Sequence, residues 1–420
     1  MKKICVMGLG YIGLPTASVL ATNGFQVLGV DVDARVVNTV NSGNIHIEEP
    51  GLHTVVRAAI NSGNLRASLE PESADVFFLA VPTPLTEDKR ADMSYVTGAA
   101  ERIVPYLEAG NLVILESTSP PGTCRDLLAP ILGRSGLEVG RDVGLAHCPE
   151  RVLPGKILQE LIHNDRVVGG IDRPSAERAR DIYASFVEGE VFLTDVTTAE
   201  MVKVIENTFR DVNIALANEA ALLCEALGIN FGEVTRLANR HPRVNLHMAG
   251  PGVGGHCISV DPWFLVEAFP NEARIIRLAR ERNDGMPARV VERILAMVAG
   301  GKGTAKVALL GLAFKGNVDD IRESPSLRVA RLLEEQGIRV AVHDPYVKAS
   351  PIDLTGLEEC FQDADCVVLL TDHNDYKYLN PRQLAKLMRT PRLFDTRNVL
   401  DHEDWRQAGF EVRVLGWGKA

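Results

Sequence analysis

The first 120 residues alternate short apolar runs with longer stretches of mixed polarity. The apolar runs are Lys3–Met7, Phe25–Val30, Val76–Val81 and Leu112–Glu116. Continuous apolar strands that are separated by helices are typical of a parallel sheet covered on both faces. Right-handed crossovers between such strands predict a doubly wound fold.

A different pattern begins at Thr197. From there to about Gly228 the chain has neither glycine nor proline, and Ala, Leu, Glu, Val and Asn dominate. This predicts one helix of about 30 residues. Because such a helix is too long for a strand crossover, we expect a central all-helical region.

The strand pattern returns near Gly300. The predicted strands there are Lys306–Gly311, Arg339–Asp344, Cys366–Leu370 and Arg392–Asp395. The predicted fold class is therefore α/β, with two Rossmann-like doubly wound parallel-sheet domains joined by a central all-α region. The predicted domains are 1–196, 197–299 and 300–420.

Composition narrows the class of protein. The chain has 420 residues, of which 46% are hydrophobic and 24% charged, as in a soluble protein of two or three domains. Its formal net charge of −10 disfavours nucleic-acid and anionic-membrane partners. No apolar run is long enough to span a membrane, and glycines and a proline interrupt the apolar stretch after Met1-Lys2-Lys3, which argues against a signal peptide.

The cysteines point to a compartment. Seven are scattered along the chain without a Cys-x-x-Cys pair. This predicts a reducing cytoplasm, no disulfide framework and no metal site.

A glycine motif directly follows the first predicted strand, and its sequence is Gly8-Leu9-Gly10-Tyr11-Ile12-Gly13. Gly8 permits a tight turn, Gly10 lets a pyrophosphate approach the backbone, and Gly13 lets helix and strand pack closely. The free N–H groups of the helix start favour phosphates. The motif, including Tyr11 and Ile12, therefore predicts a dinucleotide site.

The cofactor type is predicted from Asp31, which ends the second strand 18 residues after Gly13. A carboxylate there accepts hydrogen bonds from a ribose diol and repels a 2′-phosphate, which favours NAD. Arg35 could stack on adenine or bind a 2′-phosphate, so NADP stays open. A glycine-rich turn with an exposed aspartate is the alternative without a cofactor.

Two threonines follow the third and fourth strands. Because ligands bind at the carboxyl ends of strands in open α/β sheets, Thr83 and Thr118 are predicted cofactor contacts. Capping of nearby helices is the alternative for both.

Polar residues on the long helix share one face. Lys203, Asn207 and Arg210 are spaced i, i+4 and i+7. A solvated polar stripe is one interpretation, but the largely apolar flanking sequence favours a buried face.

A glycine-rich segment, Gly250-Pro251-Gly252-Val253-Gly254-Gly255-His256-Cys257, ends in a cysteine. Such a loop can offer N–H groups to phosphates or a sugar. It presents Cys257 either as a nucleophile or as a buried structural thiol. A second loop sets Glu150 and Arg151 between two prolines, which predicts a rigid, extended segment.

Together NAD, a nucleophilic cysteine, a lysine and a glutamate suggest one chemistry. The cysteine captures an aldehyde as a thiohemiacetal, a second hydride transfer gives a thioester, and hydrolysis gives a carboxylate. A primary alcohol thus loses four electrons to two NAD. A nearby ammonium or amide stabilises the oxyanions.

The chain resembles the UDP-glucose/UDP-N-acetylhexosamine 6-dehydrogenase family over essentially its whole length. The matching motifs are Gly8–Gly13, Val81-Pro82-Thr83-Pro84, Glu116-Ser117-Thr118, Lys203 with Glu206-Asn207, Gly254-Gly255-His256-Cys257, Ala313-Phe314-Lys315 and Arg322-Glu323-Ser324-Pro325. The loop Pro149–Gly155 and the segment His241–Asn245 are similar to the branch that acts on UDP-N-acetyl-D-mannosamine. Ala249 departs from that branch, which often has proline there, but this departure leaves the implied chemistry unchanged.

The resemblance implies roles for individual residues. Cys257 is the nucleophile and Lys203 the acid/base or oxyanion partner, supported by Asn207, Asp261, Glu150 and Thr118. The substrate contacts that it implies are Lys203, Asn207, Arg151, Val152, Arg210, His241, Arg243, Gly254, Phe314, Lys315 and Arg397. Arg322 reaches NAD, Arg243 acts across a dimer interface, and the chain forms a homodimer or a higher homo-oligomer through the long helix.

Other functions stay open at this point. UDP-N-acetyl-D-glucosamine and UDP-glucose are alternative substrates. A nucleotide sensor that kept the fold and lost catalysis is an alternative from another class, and a 3-hydroxy acid dehydrogenase of similar architecture is a third. The last would not need a cysteine after a glycine loop.

Overall fold

The computed structural model describes residues 2–298 and 305–418. Two compact units, Met1–Glu206 and Asn207–Ala420, make up the chain, and the division falls within one long helix. Each unit is described by itself.

The first unit contains an eight-stranded sheet. Its strands are β1 (Lys3–Met7), β2 (Gln26–Val30), β3 (Leu65–Ser68), β4 (Val76–Leu79), β5 (Leu112–Leu115), β6 (Gly144–His147), β7 (Arg166–Gly170) and β8 (Val191–Asp195). The strand order is β3-β2-β1-β4-β5-β6-β7-β8, and all neighbours are parallel except β6 and β7. In the register of the central strands, Ile4 lies opposite both Val27 and Val76.

Helices connect these strands, and the sheet is buried on both faces. The helices are α1 (Gly13–Thr22), α2 (Ala34–Asn41), α3 (Leu52–Asn61), α4 (Ser94–Ile103), α5 (Ala129–Leu132), α6 (Ile157–His163) and α7 (Arg173–Tyr183), with 3₁₀ turns at Val104–Tyr106 and Gly133–Ser135 and a π-helical segment at Thr123–Leu128. Along β1, Ile4 and Val6 belong to one apolar core, whereas Cys5 and Met7 belong to the other. Alternate side chains of an apolar strand therefore enter opposite cores, as a doubly covered sheet requires.

The second unit packs helices with a five-stranded sheet. The long helix α8 (Val196–Leu227) enters it, followed by α9 (Phe231–Ala238), α10 (Asp261–Ala268), α11 (Arg274–Met297), α12 (Pro325–Glu335), α13 (Leu357–Phe361), a 3₁₀ turn (Asn374–Tyr378), α14 (Pro381–Leu384) and α15 (His402–Gln407). The strands are β9 (Lys306–Leu310), β10 (Arg339–His343), β11 (Cys366–Leu369), β12 (Arg392–Asp395) and β13 (Glu411–Val414). All are parallel, in the order β10-β9-β11-β12-β13.

The predicted fold class is confirmed, and the eight predicted strands are present within one or two residues of their expected ends. The long helix spans 32 residues. The pattern missed β3, β6, β7, β8 and β13. Some of these strands have partly exposed faces, as in β8, so they lack a continuous apolar run.

The antiparallel pairing of β6 with β7 was not predicted either. Only two residue pairs join these strands, Ala146 with Gly170 and His147 with Gly169. The chain between them returns through an extended loop and α6 and not through a full crossover.

The three-domain division stays a prediction. Its boundary at 299–300 lies outside the described residues. In the described part of the chain, no helix has both the length and the hydropathy needed to cross a membrane.

Candidate active site

The turn after β1 has the geometry of a dinucleotide site. Gly8 adopts φ +92°, and a Cβ there would lie 2.5 Å from the carbonyl oxygen of Ala80. A side chain at Gly13 would collide with the carbonyl of Gly8, whereas a Cβ at Gly10 would meet no described atom within 4 Å. Gly8 and Gly13 are therefore required by packing, and Gly10 leaves its backbone open to a ligand.

Asp31 lies just beyond β2 and is partly exposed. Its Oδ2 accepts a hydrogen bond from the N–H of Leu9 at 3.0 Å, and its Oδ1 accepts one from Asp33 at 3.0 Å. These bonds fix the carboxylate beside the glycine turn. The guanidinium of Arg35 is engaged by Asp33, with Nη2 and Oδ2 2.8 Å apart. The residues around the turn thus fit the ribose diol of NAD.

The ends of β4 and β5 are tied together beside the predicted threonines. The hydroxyl of Ser117 donates to the carbonyl of Val81 at 2.7 Å. Thr83 and Thr118 are both partly exposed. This bond holds together the two loops that carry the threonines. Because these loops follow β4 and β5, both threonines lie at the carboxyl edge of the sheet, where cofactors bind.

Glu116, two residues before Thr118 in the chain, belongs to a buried polar cluster with Glu150, Arg166 and Tyr183. Arg166 forms an ion pair with Glu150, and the hydroxyl of Tyr183 donates to Glu116 Oε1 at 2.8 Å. Burial, together with the charge of nearby Glu150, raises the pKa of Glu116 to about 8. Glu116 is therefore protonated at neutral pH, and the predicted catalytic Glu150 is ion-paired.

The loop after Glu150 is held by carboxylates. Arg151 pairs with Glu206, with Nη2 and Oε1 2.5 Å apart. Buried Glu49 accepts hydrogen bonds from the N–H groups of Gly155 (2.8 Å) and Ile157 (2.7 Å). Val152, the other predicted substrate residue of this loop, packs against the apolar core. The rigid loop that the prolines predicted is thus stabilised by side chains far away in the sequence.

Lys203 is 8% exposed, so the buried polar face predicted for α8 is correct at this position. Burial, together with the nearby Lys203 side chain, lowers the pKa of His147 to about 3. His147 is therefore neutral at neutral pH, and its imidazole lies near the side chain of Lys203.

In the second unit, Asn207 connects two other predicted residues. Arg210 donates to Asn207 Oδ1, and Asn207 Nδ2 donates to Asp261 Oδ2. Asn207 and Asp261 are buried, with 0% and 2% exposure, although Arg210 is exposed. The three residues form one continuous chain of hydrogen bonds, although Asn207 and Asp261 are 54 positions apart in the sequence.

Asp261 also fixes the backbone at Cys257. The N–H of Asp261 donates to the carbonyl of Cys257 at 2.8 Å, and that of Val260 does so at 3.0 Å. All seven cysteines lie in the described residues; six are buried, and Cys257 is partly exposed. Cys257 is thus the accessible thiol, and it is not a buried structural cysteine of the core.

The segment Gly250–Cys257, named the glycine loop below, is closely packed. A Cβ at Gly254 would lie 2.7 Å from Phe314 Cβ and from the carbonyl of Glu323. Gly255 adopts φ +82° and donates its N–H to the carbonyl of Arg322 at 3.0 Å. The glycines therefore permit close packing against the segment 314–323, in addition to any N–H groups offered to a substrate.

The other predicted residues of the second unit are placed as follows. Arg397 lies beside the glycine loop, because a Cβ at Gly250 would be 2.6 Å from its Nη1, and it also donates to Asp372. Arg322 forms an ion pair with Asp320 at 2.6 Å. Lys315, His241 and Arg243 are exposed. Phe314, Arg322 and Arg397 are thus gathered at the glycine loop.

Sequence reasoning missed several residues that support the site. Arg166, Tyr183 and Glu49 carried no motif or spacing signal, since each acts through a partner distant in sequence. Glu116 was visible within the motif Glu116-Ser117-Thr118, but its burial and its protonation were not.

These features define a class: a nucleotide-dependent dehydrogenase in which a glycine-turn sheet is followed by a helical segment with an accessible cysteine. Comparison with known families then matches residues 2–187 to the NAD binding domain of the UDP-glucose/GDP-mannose dehydrogenase family, residues 197–285 to its central domain and residues 308–402 to its UDP binding domain. The chain belongs to the UDP-glucose/GDP-mannose dehydrogenase family. It is an NAD-dependent oxidoreductase that acts on UDP-sugars.

Individual relatives match over nearly the whole chain. A UDP-N-acetyl-D-mannosamine dehydrogenase of Methanococcus maripaludis is 49% identical over 426 residues, which cover 100% of this chain and 98% of the relative. An NDP-N-acetyl-D-galactosaminuronic acid dehydrogenase of Ralstonia solanacearum is 47% identical over 95% of this chain and 96% of its own. The structure of a UDP-D-ManNAc dehydrogenase from Pyrococcus horikoshii superposes with a TM-score of 0.94 at 41% identity, and all of both chains is covered.

Proposed function

We propose that this enzyme oxidises the C6 alcohol of UDP-N-acetyl-D-mannosamine to the uronate, with two NAD reduced per sugar. The observation that carries the proposal is the accessible Cys257, held by Asp261, which in turn is bonded to Asn207. NAD accepts the hydride in each oxidation. The net reaction consumes the alcohol, one water and two NAD, and it yields the carboxylate, two NADH and three protons.

The first oxidation converts the alcohol to the aldehyde. The Cys257 thiolate then adds to the carbonyl carbon and forms a C–S bond, which gives a thiohemiacetal. Loss of a hydride from that carbon leaves a thioester, and attack by water breaks the C–S bond and returns the thiolate. Covalent capture keeps the aldehyde bound until the second oxidation.

The oxyanions of these steps need donors. Asn207 and the Lys203 ammonium are proposed for this role, because buried donors stabilise developing charge strongly. Asp261, Glu150 and Thr118 are proposed to orient the attacking water.

The substrate side is proposed to be cationic. Arg151 and Arg210 are engaged by Glu206 and by Asn207. We propose that they exchange these partners for the substrate, together with Val152, His241, Arg243, Gly254, Phe314, Lys315 and Arg397. Guanidinium groups suit the diphosphate because they bind phosphate oxygens in pairs.

The choice of sugar is supported by the loop Pro149–Gly155, by His241–Asn245 and by the relatives that act on N-acetylmannosamine. The Ralstonia relative makes the N-acetylgalactosamine epimer a second candidate. A panel of UDP-N-acetyl-D-mannosamine, its gluco and galacto epimers and UDP-glucose, with NADH counted per sugar, decides among them. Two NADH with the manno sugar alone supports the proposal, one NADH with free aldehyde overturns the thioester route, and equal turnover of another sugar overturns the sugar assignment.

We also propose a homodimer through α8. Phe209, Leu216, Leu223 and Leu227 are each more than half exposed and, at spacings of seven, seven and four, share one helix face. Exposed apolar stripes of this kind mark protein interfaces. Light scattering of the wild type and of Leu216→Glu tests this: a dimer that becomes a monomer supports it, and a monomeric wild type contradicts it.

The same chemistry sets the compartment. Cys257 must stay reduced to act, so we propose a cytoplasmic location.

A further inference from the structure

Two fully buried amides in the second unit, Asn218 on α8 and Asn283 on α11, are bonded to each other. Their exposures are 0% and 1%. Asn218 Nδ2 donates to Asn283 Oδ1 at 2.9 Å, and Asn218 Oδ1 accepts a hydrogen bond from the N–H of Gly250 at 2.9 Å. Because Gly250 is the first residue of the glycine loop, the pair is bonded directly to the start of the segment that carries Cys257.

The amide pair is itself held in place by further buried hydrogen bonds to Asp211. Asn283 Nδ2 donates to the carbonyl oxygen of Asp211 at 3.0 Å and to its Oδ1 at 2.8 Å. Buried Arg280 donates to the same Oδ1 at 2.5 Å. Each amide has one satisfactory orientation, since turning Asn218 would place its NH₂ group against the N–H of Gly250. The network therefore fixes the position of one backbone N–H.

The glycine loop is also held at its far end. Gly255 donates to Arg322, and Asp261 donates to the carbonyl of Cys257. In the middle, Gly252 adopts φ +138°, and a Cβ there would lie 3.2 Å from the carbonyl oxygen of Asn283. Cys257 is only seven residues beyond Gly250, so the amide pair at the start of the loop and these contacts at its far end together fix the short segment that carries the thiol.

We infer that Asn218 and Asn283 are positioning residues for Cys257, which act through the backbone of the glycine loop and do not touch the substrate. This inference rests on the proposed function of Cys257. Misplacing a reacting group by about 1 Å costs about a hundredfold in rate. The amide pair is thus expected to affect turnover and not cofactor binding.

The test compares Asn218→Leu, which keeps the size and removes both hydrogen bonds, with the wild type. We expect kcat to fall about ten- to a hundredfold. The NADH dissociation constant should change by less than about twofold, because the glycine turn of β1 is untouched. Hydrogen exchange should accelerate in peptides covering 249–257 and stay unchanged in those of α8 and α11.

Asn111→Leu is the matched control. Asn111 is also a buried asparagine whose Oδ1 accepts one backbone N–H, that of Glu108 at 2.7 Å, but it lies in the first unit. It should leave exchange of the glycine loop unchanged.

Asn218→Asp provides a milder variant if Asn218→Leu does not fold. Its protonated form accepts from Gly250 and donates to Asn283, so its kcat relative to wild type should rise as the pH falls from 8 to about 6. Faster exchange throughout α8 and α11, or unchanged kcat with unchanged loop exchange, would overturn the inference. If the wild type does not oxidise the sugar, the proposed function fails, whereas the exchange data still show whether the pair holds the loop.

Discussion

The two sheets share one local pattern, a glycine turn after one strand and an aspartate after the neighbouring strand, but the two aspartates are hydrogen-bonded differently. Gly8 and Gly311 follow the first strand of each sheet with φ of +92° and +93°, and an aspartate follows the neighbouring strand in each case. Asp31 accepts two backbone hydrogen bonds and is partly exposed. Asp344 is buried and accepts hydrogen bonds from the backbone N–H groups of Leu312, Ala313, Tyr346 and Val347 and from His373 Nε2.

This difference in hydrogen bonding distinguishes a ligand-binding aspartate, Asp31, from a structural one, Asp344. The oxygens of Asp344 are fully engaged within its own unit, so the second turn has no free carboxylate for a ribose diol. Asp31 retains acceptor capacity and an exposed edge. A strand–glycine–strand–aspartate pattern therefore indicates a dinucleotide site only where the aspartate is left accessible.

The largest expected effect is on turnover, and it tests whether Cys257 of the second unit is the nucleophile. Cys257→Ser should lower turnover at least about a thousandfold, because a serine hydroxyl is a much weaker nucleophile for the proposed capture of the aldehyde. Cys148→Ser is the control from the first unit, where burial raises the pKa of the thiol to about 12 and keeps it inert. NADH release measures both variants. Loss of activity with Cys148→Ser alone would mean that the wrong cysteine was chosen.

The next effect concerns stability. Asp344→Ala should lower the free energy of unfolding by about 3–5 kcal/mol, because it leaves His373 and buried N–H groups without their acceptor. Burial by itself would raise the pKa of Asp344, but the hydrogen bonds from His373 and the backbone hold it well below its usual value. Its contribution is therefore present above about pH 4 and is lost as the pH falls further. Denaturant unfolding at pH 7 and pH 3 measures this, and a variant as stable as wild type at pH 7 would contradict it.

A buried carboxylate of the first sheet should behave in the opposite way. Glu116 has a folded pKa of about 8, so the folded state holds a proton that the unfolded state releases near its ordinary value of 4.5. Between these values stability falls as the pH rises, by up to about 1.4 kcal/mol per pH unit. Glu116→Gln should flatten this slope in unfolding measurements at pH 5.5 and 7.5. A variant that keeps the full slope would show that another group is responsible.

The smallest effect tests the exposed carboxylate itself. Asp31→Asn should weaken NAD binding about tenfold, or about 1.4 kcal/mol, and change stability little, because its acceptor strength toward a ribose diol falls. Asp33→Asn is the neighbouring control, whose carboxylate pairs with exposed Arg35. Calorimetric titration with NAD compares the two. Equal weakening in both variants would indicate a general charge effect in place of a specific contact.

Much of the fold was predictable because it depends on local patterns. The apolar runs predicted the central strands, and the absence of glycine and proline predicted α8. The partly exposed β8 and the antiparallel pair β6 and β7 were not predictable, since their pairing depends on neighbours far along the chain.

The candidate site divides in the same way. Gly8 and Gly13 were identified from spacing. Cys257 was a candidate from its position after a glycine-rich segment, and Lys203 and Asn207 from helix periodicity, with the family resemblance deciding their roles. Arg166, paired with Glu150, and the carboxylate of Glu49 under the Gly155 loop had no sequence signal. Their roles arise from partners brought together by the sheet.

The sequence by itself determined the backbone features: the glycine turn after the first strand, one uninterrupted helix and a cysteine that follows a glycine-rich segment. Only the tertiary structure decided which polar groups stay open and which are engaged. Asp31 and Asp344 occupy equivalent positions in the pattern, and Asn218 meets Asn283 across 65 residues. The reason is that burial and hydrogen bonding depend on which distant residues the packed sheets and helices bring within about 3 Å.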